Sequence, residues 1–274
     1  MAIRIVTDSS CDISSEAFNE MNIDMLGLKI YFGKEEFIDK VTIDVKTFYE
    51  KLSLANELPT TTLINPEQWI TYFNQYPEDD IVVLPISPTL SGTYQSAIIA
   101  QGTLARENIH VVNTQAVATM LGMLVTHAAG MRNNGASALE IFEKITELAD
   151  RIELIAAFDT LKYLIKGGRI SGVQGAIGNV LGIKPIVHVK NGVLKNIGKA
   201  RGMKSAIEYL VKFINRPNTV DFSMPLFFGS TNNEEDLKIL MQQVGMPDEP
   251  IYEIGSTVGT HAGPGAIAIA YFRK

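Results

Sequence analysis

Cysteine is nearly absent. Cys11 is the one thiol in 274 residues, which excludes an internal disulfide and a thiolate zinc centre and fits a reducing, cytoplasmic compartment. Long apolar runs are missing as well. No stretch reaches the roughly 18 uninterrupted apolar residues of a membrane helix. The opening MAIRIVTDSS has no basic segment followed by a long apolar one, so neither an integral membrane segment nor a secretory leader is expected. Phosphate-loop, G-x-S-x-G and H-E-x-x-H motifs do not occur, and Cys and His do not cluster; no metal site is expected. Acids are missing from one long window. Between Asp159 and Glu208 there is no Asp or Glu, while nine basic residues stand there: Lys162, Lys166, Arg169, Lys184, Lys190, Lys195, Lys199, Arg201 and Lys204.

That window sits in an acidic protein. The net charge is −6. Residues 1–150 hold 9 Lys and Arg against 20 Asp and Glu, a net of −11; residues 151–274 hold 15 against 10, a net of +5. Each cation singly fits an ordinary solvated surface. The whole window fits better with a defined electropositive face, and the acidic balance argues against nucleic acid as a partner. With 46% apolar residues in a chain of this length, a sizeable core is assured, in one large or two ordinary domains.

Hydrophobic patterning predicts alternating strands and helices up to residue 150. Strands are expected at Ile3–Thr7, Met25–Phe32, Ile81–Ile86 and Ile109–Asn113. Asn65-Pro66-Glu67-Gln68 is a helix start, with Asn as cap, Pro at the first helical position and Gln at the third. Helices are expected at Ser91–Arg106, Val117–Arg132 and Ala138–Ile152. The second half differs. A strand Glu153–Phe158 precedes a short helix Thr160–Ile165 stopped by Gly167-Gly168, and Gly172–Leu181 reads as a tightly packed helix. Asn191-Gly192 is the turn pair of a two-residue hairpin. A helix Ser205–Ile214, a strand Pro225–Gly229, a helix Glu234–Val244 and strands Ile251–Ile254 and Ala266–Phe272 follow. The fold class is α/β with two domains: a parallel-sheet α/β/α N-terminal domain, residues 1–152, and a mixed-sheet α/β C-terminal domain, residues 153–274.

Chemistry concentrates at few places. Ile81–Ile86 followed by Ser91-Gly92-Thr93 is a strand, a polar turn and a helix start, where unpaired amides and the helix dipole favour an anion. Thr60-Thr61-Thr62 offers three hydroxyls to an anion, or is ordinary loop polarity. Gly259-Thr260-His261-Ala262-Gly263-Pro264-Gly265 bends the backbone sharply around one histidine. Arg201 and Arg169 each stand beside glycines, as anion ligands or as surface cations. His110, His127 and His188 fall in strand or helix patterns and read as structural. Met120, Met123 and Met131 lie on an apolar helix that is core, or else the wall of a tunnel.

Taken in order, these stretches resemble the DegV family. The matching motifs are Thr7-Asp8-Ser9-Ser10-Cys11-Asp12, Pro59-Thr60-Thr61, Leu90-Ser91-Gly92-Thr93-Tyr94-Gln95-Ser96-Ala97, Phe158-Asp159-Thr160-Leu161, Gly167-Gly168-Arg169-Ile170, Lys184-Pro185, Lys199-Ala200-Arg201-Gly202 and the glycine-rich run around His261. The resemblance implies a DegV-like protein that binds a long-chain fatty acid between its domains, with no other cofactor. It would present the carboxylate to a fatty acid kinase subunit for acyl-phosphate formation, itself a carrier and not an enzyme. By the same resemblance Ser91, Gly92 and Thr62 would grip the carboxylate, with Thr61 and His261 beside it. Arg201 and His261 would lie at the phosphoryl-transfer end, with Arg169 a further candidate. Where the family continues Ser-Gln-Pro-Ser, this chain has Thr62-Leu63-Ile64-Asn65, which leaves acyl length and unsaturation preference open. The alternative is a small-molecule hydrolase or phosphotransferase subunit using Ser91 and His261.

Overall fold

A computed structural model describes residues 2–170 and 182–274. The chain runs β1 (Ile3–Asp8), α1 (Ser15–Glu20), β2 (Ile23–Leu26), β3 (Lys29–Phe32), β4 (Glu35–Ile38), α2 (Val45–Leu54), β5 (Thr60–Thr62), α3 (Pro66–Asn74), β6 (Asp80–Leu84) and α4 (Thr93–Leu104). Next come β7 (Ile109–Val111), α5 (Thr119–Asn133), α6 (Ala138–Ala149), β8 (Ile152–Ala157), α7 (Lys162–Lys166), β9 (Ile183–Lys190), β10 (Val193–Arg201) and α8 (Gly202–Ile214). The last elements are β11 (Phe227–Ser230), α9 (Glu234–Val244), β12 (Ile251–Glu253), α10 (Ser256–Ala262) and β13 (Ile267–Phe272). The helix expected at Gly172–Leu181 lies outside the described residues.

The first sheet is fully parallel, in the order β2-β1-β6-β7. Period-two alternation builds its two faces. Ile5, Val82 and Leu84 point to one core, while Val6, Ile81 and Val83 point to another made with Trp69, Phe73, Ala97 and Ala100 of α3 and α4. Helix α3 begins as the sequence predicts, with a reciprocal capping box between Asn65 and Gln68. The second sheet is mixed, in the order β10-β9-β8-β13-β11-β12, with only the β11–β12 pair parallel. Its strands alternate too. Ile155, Ile267 and Ile269 pack against α8 and α9, and Leu154, Ala156, Ala268 and Ala270 face the other way. Helix α5 fills the space between the sheets. Met120, Leu121, Met123, Leu124 and Val125 are all buried in one core that runs from Ile5 to Phe272, so the methionine-rich helix is core.

Three expectations need correction. Met25–Phe32 is not one strand. The chain leaves the parallel sheet after Leu26, and β3 pairs instead in a small antiparallel sheet, β4-β3-β5. Gly27 sits at the crossing, where a Cβ would lie 2.4 Å from the Ile38 side chain. The threonine triplet is strand β5 of that sheet and not a loop. The run around His261 is mostly helical: Gly259 to Ala262 belong to α10, and the sharp bend comes after it, with Gly263 and Gly265 at φ 71° and 86°.

Candidate functional site

Parallel sheets place their functional loops at the carboxyl ends of the strands, and this chain uses two such ends. Asp8, the last residue of β1, is fully buried. One oxygen accepts from the Ser10 amide and hydroxyl and the other from the Ile86 amide at 2.7 Å. Asp8 thereby ties the first loop to the loop after β6. That second loop leads to Ser91 and to the Gly92 cap of α4, which lacks a side-chain cap bond. The Ser91 hydroxyl lies 2.9 Å from that of Thr93, and Thr93 Oγ1 also accepts from the Ile64 amide at 3.4 Å.

Between the two sheets lies a cavity of about 420 Å³, within the usual range for small-molecule sites. Its walls are mainly aliphatic. Leu154, Ala156 and Ala268 come from the second sheet, Val189 and Leu194 from the β9–β10 hairpin, and Leu28 and Ile86 from the N-terminal part. Thr61, Thr62, Ser91, Gly92, Arg169 and His261 also line it, so six of the seven residues picked from the sequence come together here. Thr231 and Thr257 are polar as well, but their hydroxyls face the Ala266 amide and Ser9. Leu63 lines the cavity and packs over Gly92, where a Cβ would meet it at 2.8 Å. Ile64 is fully buried in the α3–α4 core and does not line the cavity.

Arg201 does not join the other six. It is exposed at the end of β10 and lines neither this cavity nor the smaller cleft beside it. Arg169 stands in the wall instead, its Nε donating to the Leu90 carbonyl at 3.2 Å and its Nη1 to that of Gly167. The smaller cleft, about 290 Å³, shares Thr61, Arg169 and His261 with the main cavity and adds Lys166, Tyr163 and Thr60. Those three shared side chains stand where the cavity and the cleft meet.

The histidine is held closely. Its Nε2 lies 2.8 Å from the Thr61 hydroxyl. Burial, helped by the Arg169 charge, lowers its pKa to about 4, so it is neutral near pH 7. Gly167 packs flat on the ring, and a Cβ there would lie 2.3 Å from Nδ1. This is why glycine stands at 167, whose φ of −73° any residue could adopt. Sequence alone assigns Gly167 no role beside His261 and Thr93 no role of its own within the Ser91-Gly92-Thr93 turn; the spacing Ser91-x-Thr93 is the available signal for the latter. Ser91 and His261 bond to Thr93 and Thr61, and no Ser91–His261 hydrogen bond occurs among the described residues, so the hydrolase alternative gains no nucleophile–base pair here. The other histidines lie elsewhere: His188 binds Glu153 at 2.9 Å, and His110 packs on Phe142. Among the described residues no group of three or more His, Cys, Asp or Glu is placed to hold a metal, and no helix is long and apolar enough to cross a membrane.

A family model described as "Uncharacterised protein, DegV family" matches residues 2–274. A DegV domain-containing protein of Clostridium acetobutylicum is 33% identical, with 99% of each chain covered. A Thermotoga maritima protein named fatty acid-binding protein is 30% identical, over 97% of this chain and 96% of that one. A solved structure titled as fatty acid binding of a DegV family protein from Thermus thermophilus is 27% identical, with 100% of each chain covered and a TM-score of 0.89.

Proposed function

The chain belongs to the DegV family, and from that membership we propose that it holds a long-chain fatty acid in the cavity between its sheets. One observation carries the proposal: an aliphatic cavity of about 420 Å³ meets Ser91, Gly92, Thr61, Thr62 and His261 in its wall. A carboxylate leaving water needs donors, and the Gly92 amide before α4 with the Ser91 and Thr62 hydroxyls answers that need. Each buried methylene adds about 0.8 kcal/mol, so a tail of ordinary lipid length holds tightly. In the same reading the sheets are the cores of two domains, residues 1–152 and 153–274, with the ligand at their interface. Solvent extraction of the purified chain followed by mass spectrometry is expected to recover one fatty acid per molecule. A chain that emerges empty and takes up no added octadecenoic acid overturns the proposal.

We further propose that the bound acid is presented to a fatty acid kinase, which phosphorylates the carboxylate to an acyl phosphate while this chain does no chemistry of its own. That Thr61, Arg169 and His261 line both the cavity and the cleft supports this. Arg169 then stands nearest the incoming phosphoryl group. Arg201 belongs with exposed Lys195, Lys199 and Lys204 on the surface offered to the kinase. Neutralising those three lysines is expected to weaken coupling to the kinase and leave lipid content unchanged; unchanged coupling removes the docking role.

A further inference from the structure

Helix α10 bears His261 in its last turn, yet its first turn has no cap from its own segment, because the cap residue is Gly255. Two carboxylates remote in sequence take that place. Asp12 Oδ1 accepts from the Gly255 amide at 2.9 Å, and Asp39 Oδ2 accepts from the Thr257 amide at 3.1 Å. Tyr49 donates to the Ile254 carbonyl at 3.0 Å. Gly259 packs so close to Tyr49 that a Cβ would lie 2.6 Å from the hydroxyl. The helix is thus gripped at its start by the loops after β1 and β4, and its other end forms part of the cavity wall. About 9 Å of helix separates the two ends, so a small tilt at the start moves the imidazole off Thr61.

The grip is costly to build. Asp12 and Asp39 are 1% and 0% exposed. Lys40 binds Asp12 at 3.1 Å, and among the described residues it is the one cation set against these two acids. Asp12 Oδ2 and Asp39 Oδ1 have no hydrogen-bond partner among the described residues. Apolar side chains would fill the same space at lower cost, but they could not accept from two amides. We propose that Asp12 and Asp39 are positioning residues for His261, capping α10 from the opposite half of the chain and setting where its last turn presents the imidazole to Thr61. The ligand that the imidazole then meets rests on the fatty-acid reading above; the capping does not.

Around the two acids, which also face each other, stand Lys40, Tyr49, the buried Cys11 thiol and Asp8, and Arg169 is the charge that faces His261. The test is a histidine-ring NMR titration of the full chain, which has four histidines. The wild-type imidazole is expected to titrate at about 4. In Asp12→Ala and in Asp39→Ala its midpoint should rise by about one pH unit or more toward the ordinary value, with faster amide exchange at Thr257. Asp39→Asn keeps an acceptor and should retain the wild-type midpoint. Glu153→Gln, remote from α10, should lower the melting temperature without moving His261. An unmoved midpoint in both alanine variants, whatever their stability, overturns the assignment. If either fails to fold, Asp39→Ser, too short to reach the Thr257 amide, carries the same two outcomes. No lipid is needed for this measurement. A shifted midpoint in a chain that binds no fatty acid would defeat the lipid reading and leave the capping role standing.

Discussion

At the scale of single residues, the site works through hydroxyls and one neutral imidazole. Ser91 is half-buried before the α4 cap, and its hydroxyl, 2.9 Å from that of Thr93, accepts from the Thr93 amide at 3.3 Å. A hydrogen bond to a charged group is worth roughly 1.5–3 kcal/mol, so Ser91→Ala should weaken affinity for a fluorescent fatty acid about tenfold to a hundredfold. A Kd within twofold of wild type would mean that the carboxylate lies elsewhere. Residues of this kind were legible in the sequence because small polar groups at a strand-to-helix turn have few other uses. The arginines were not. Arg169 and Arg201 both stand by glycines, and chemistry alone cannot say which turns inward. The answer depends on α7 ending against His261, a contact between parts of the chain far apart in sequence.

At the scale of elements, the β9–β10 hairpin closes one side of the cavity with Val189 and Leu194. Its turn was legible to the residue: Asn191 and Gly192 both take positive φ, 51° and 72°, as a two-residue turn requires. The docking of that turn was not. Gly192 is buried, its carbonyl accepts from the Thr89 hydroxyl, and a Cβ would lie 2.2 Å from Ser87 Oγ. Gly192→Ala therefore combines backbone strain with a clash and should cost about 1 kcal/mol or more in stability, with faster loss of bound lipid. Asn191→Gly, which keeps the turn and adds no Cβ, is the control. Equal lipid off-rates in both variants would rule out a closing role for the hairpin. The strands missed from the sequence, β4 and β5, are only four and three residues long, and Gly259 misled because close packing against Tyr49, not a turn, requires it. Most long periodic elements announce themselves, although the ten-residue α2, capped by Asp44, and the short α1 were missed too. Short edge strands and tertiary contacts give no such signal.

At the scale of the whole molecule, several buried groups shape how stability follows pH; Glu153, His261 and Asp12 are three of them, and Asp8, whose carboxyl is also raised by burial, acts in the direction of Asp12. Burial alone would raise the Glu153 carboxyl, but hydrogen bonds from His188 and Lys190 outweigh it and leave the pKa at about 2, against an ordinary 4.5. Glu153 thus stabilises the fold above pH 4.5, and that contribution is lost as the pH falls toward 2. His261 is held at about 4 against an ordinary 6.5. As the pH falls through that interval, the unfolded chain takes up a proton that the folded one refuses, and stability declines. Asp12 works the other way. Burial holds it at about 6 against an ordinary 3.8, despite Lys40, so the folded chain binds a proton first and gains stability as the pH falls from 6 to 3.8. The two intervals nearly coincide and the slopes oppose, so urea midpoints should stay nearly level from about pH 6 to 4.5 and drop below 4.5 as Glu153 titrates. Asp12→Asn keeps the acceptor for Gly255 but removes one of the opposed slopes; its urea midpoint should fall as the pH drops from 6.5 to 4. Glu153→Gln should instead flatten the limb below 4.5. If Asp12→Asn tracks the wild-type curve throughout, Asp12 is already ionised in the folded chain, and Lys40 compensates its burial more fully than the geometry around α10 suggests.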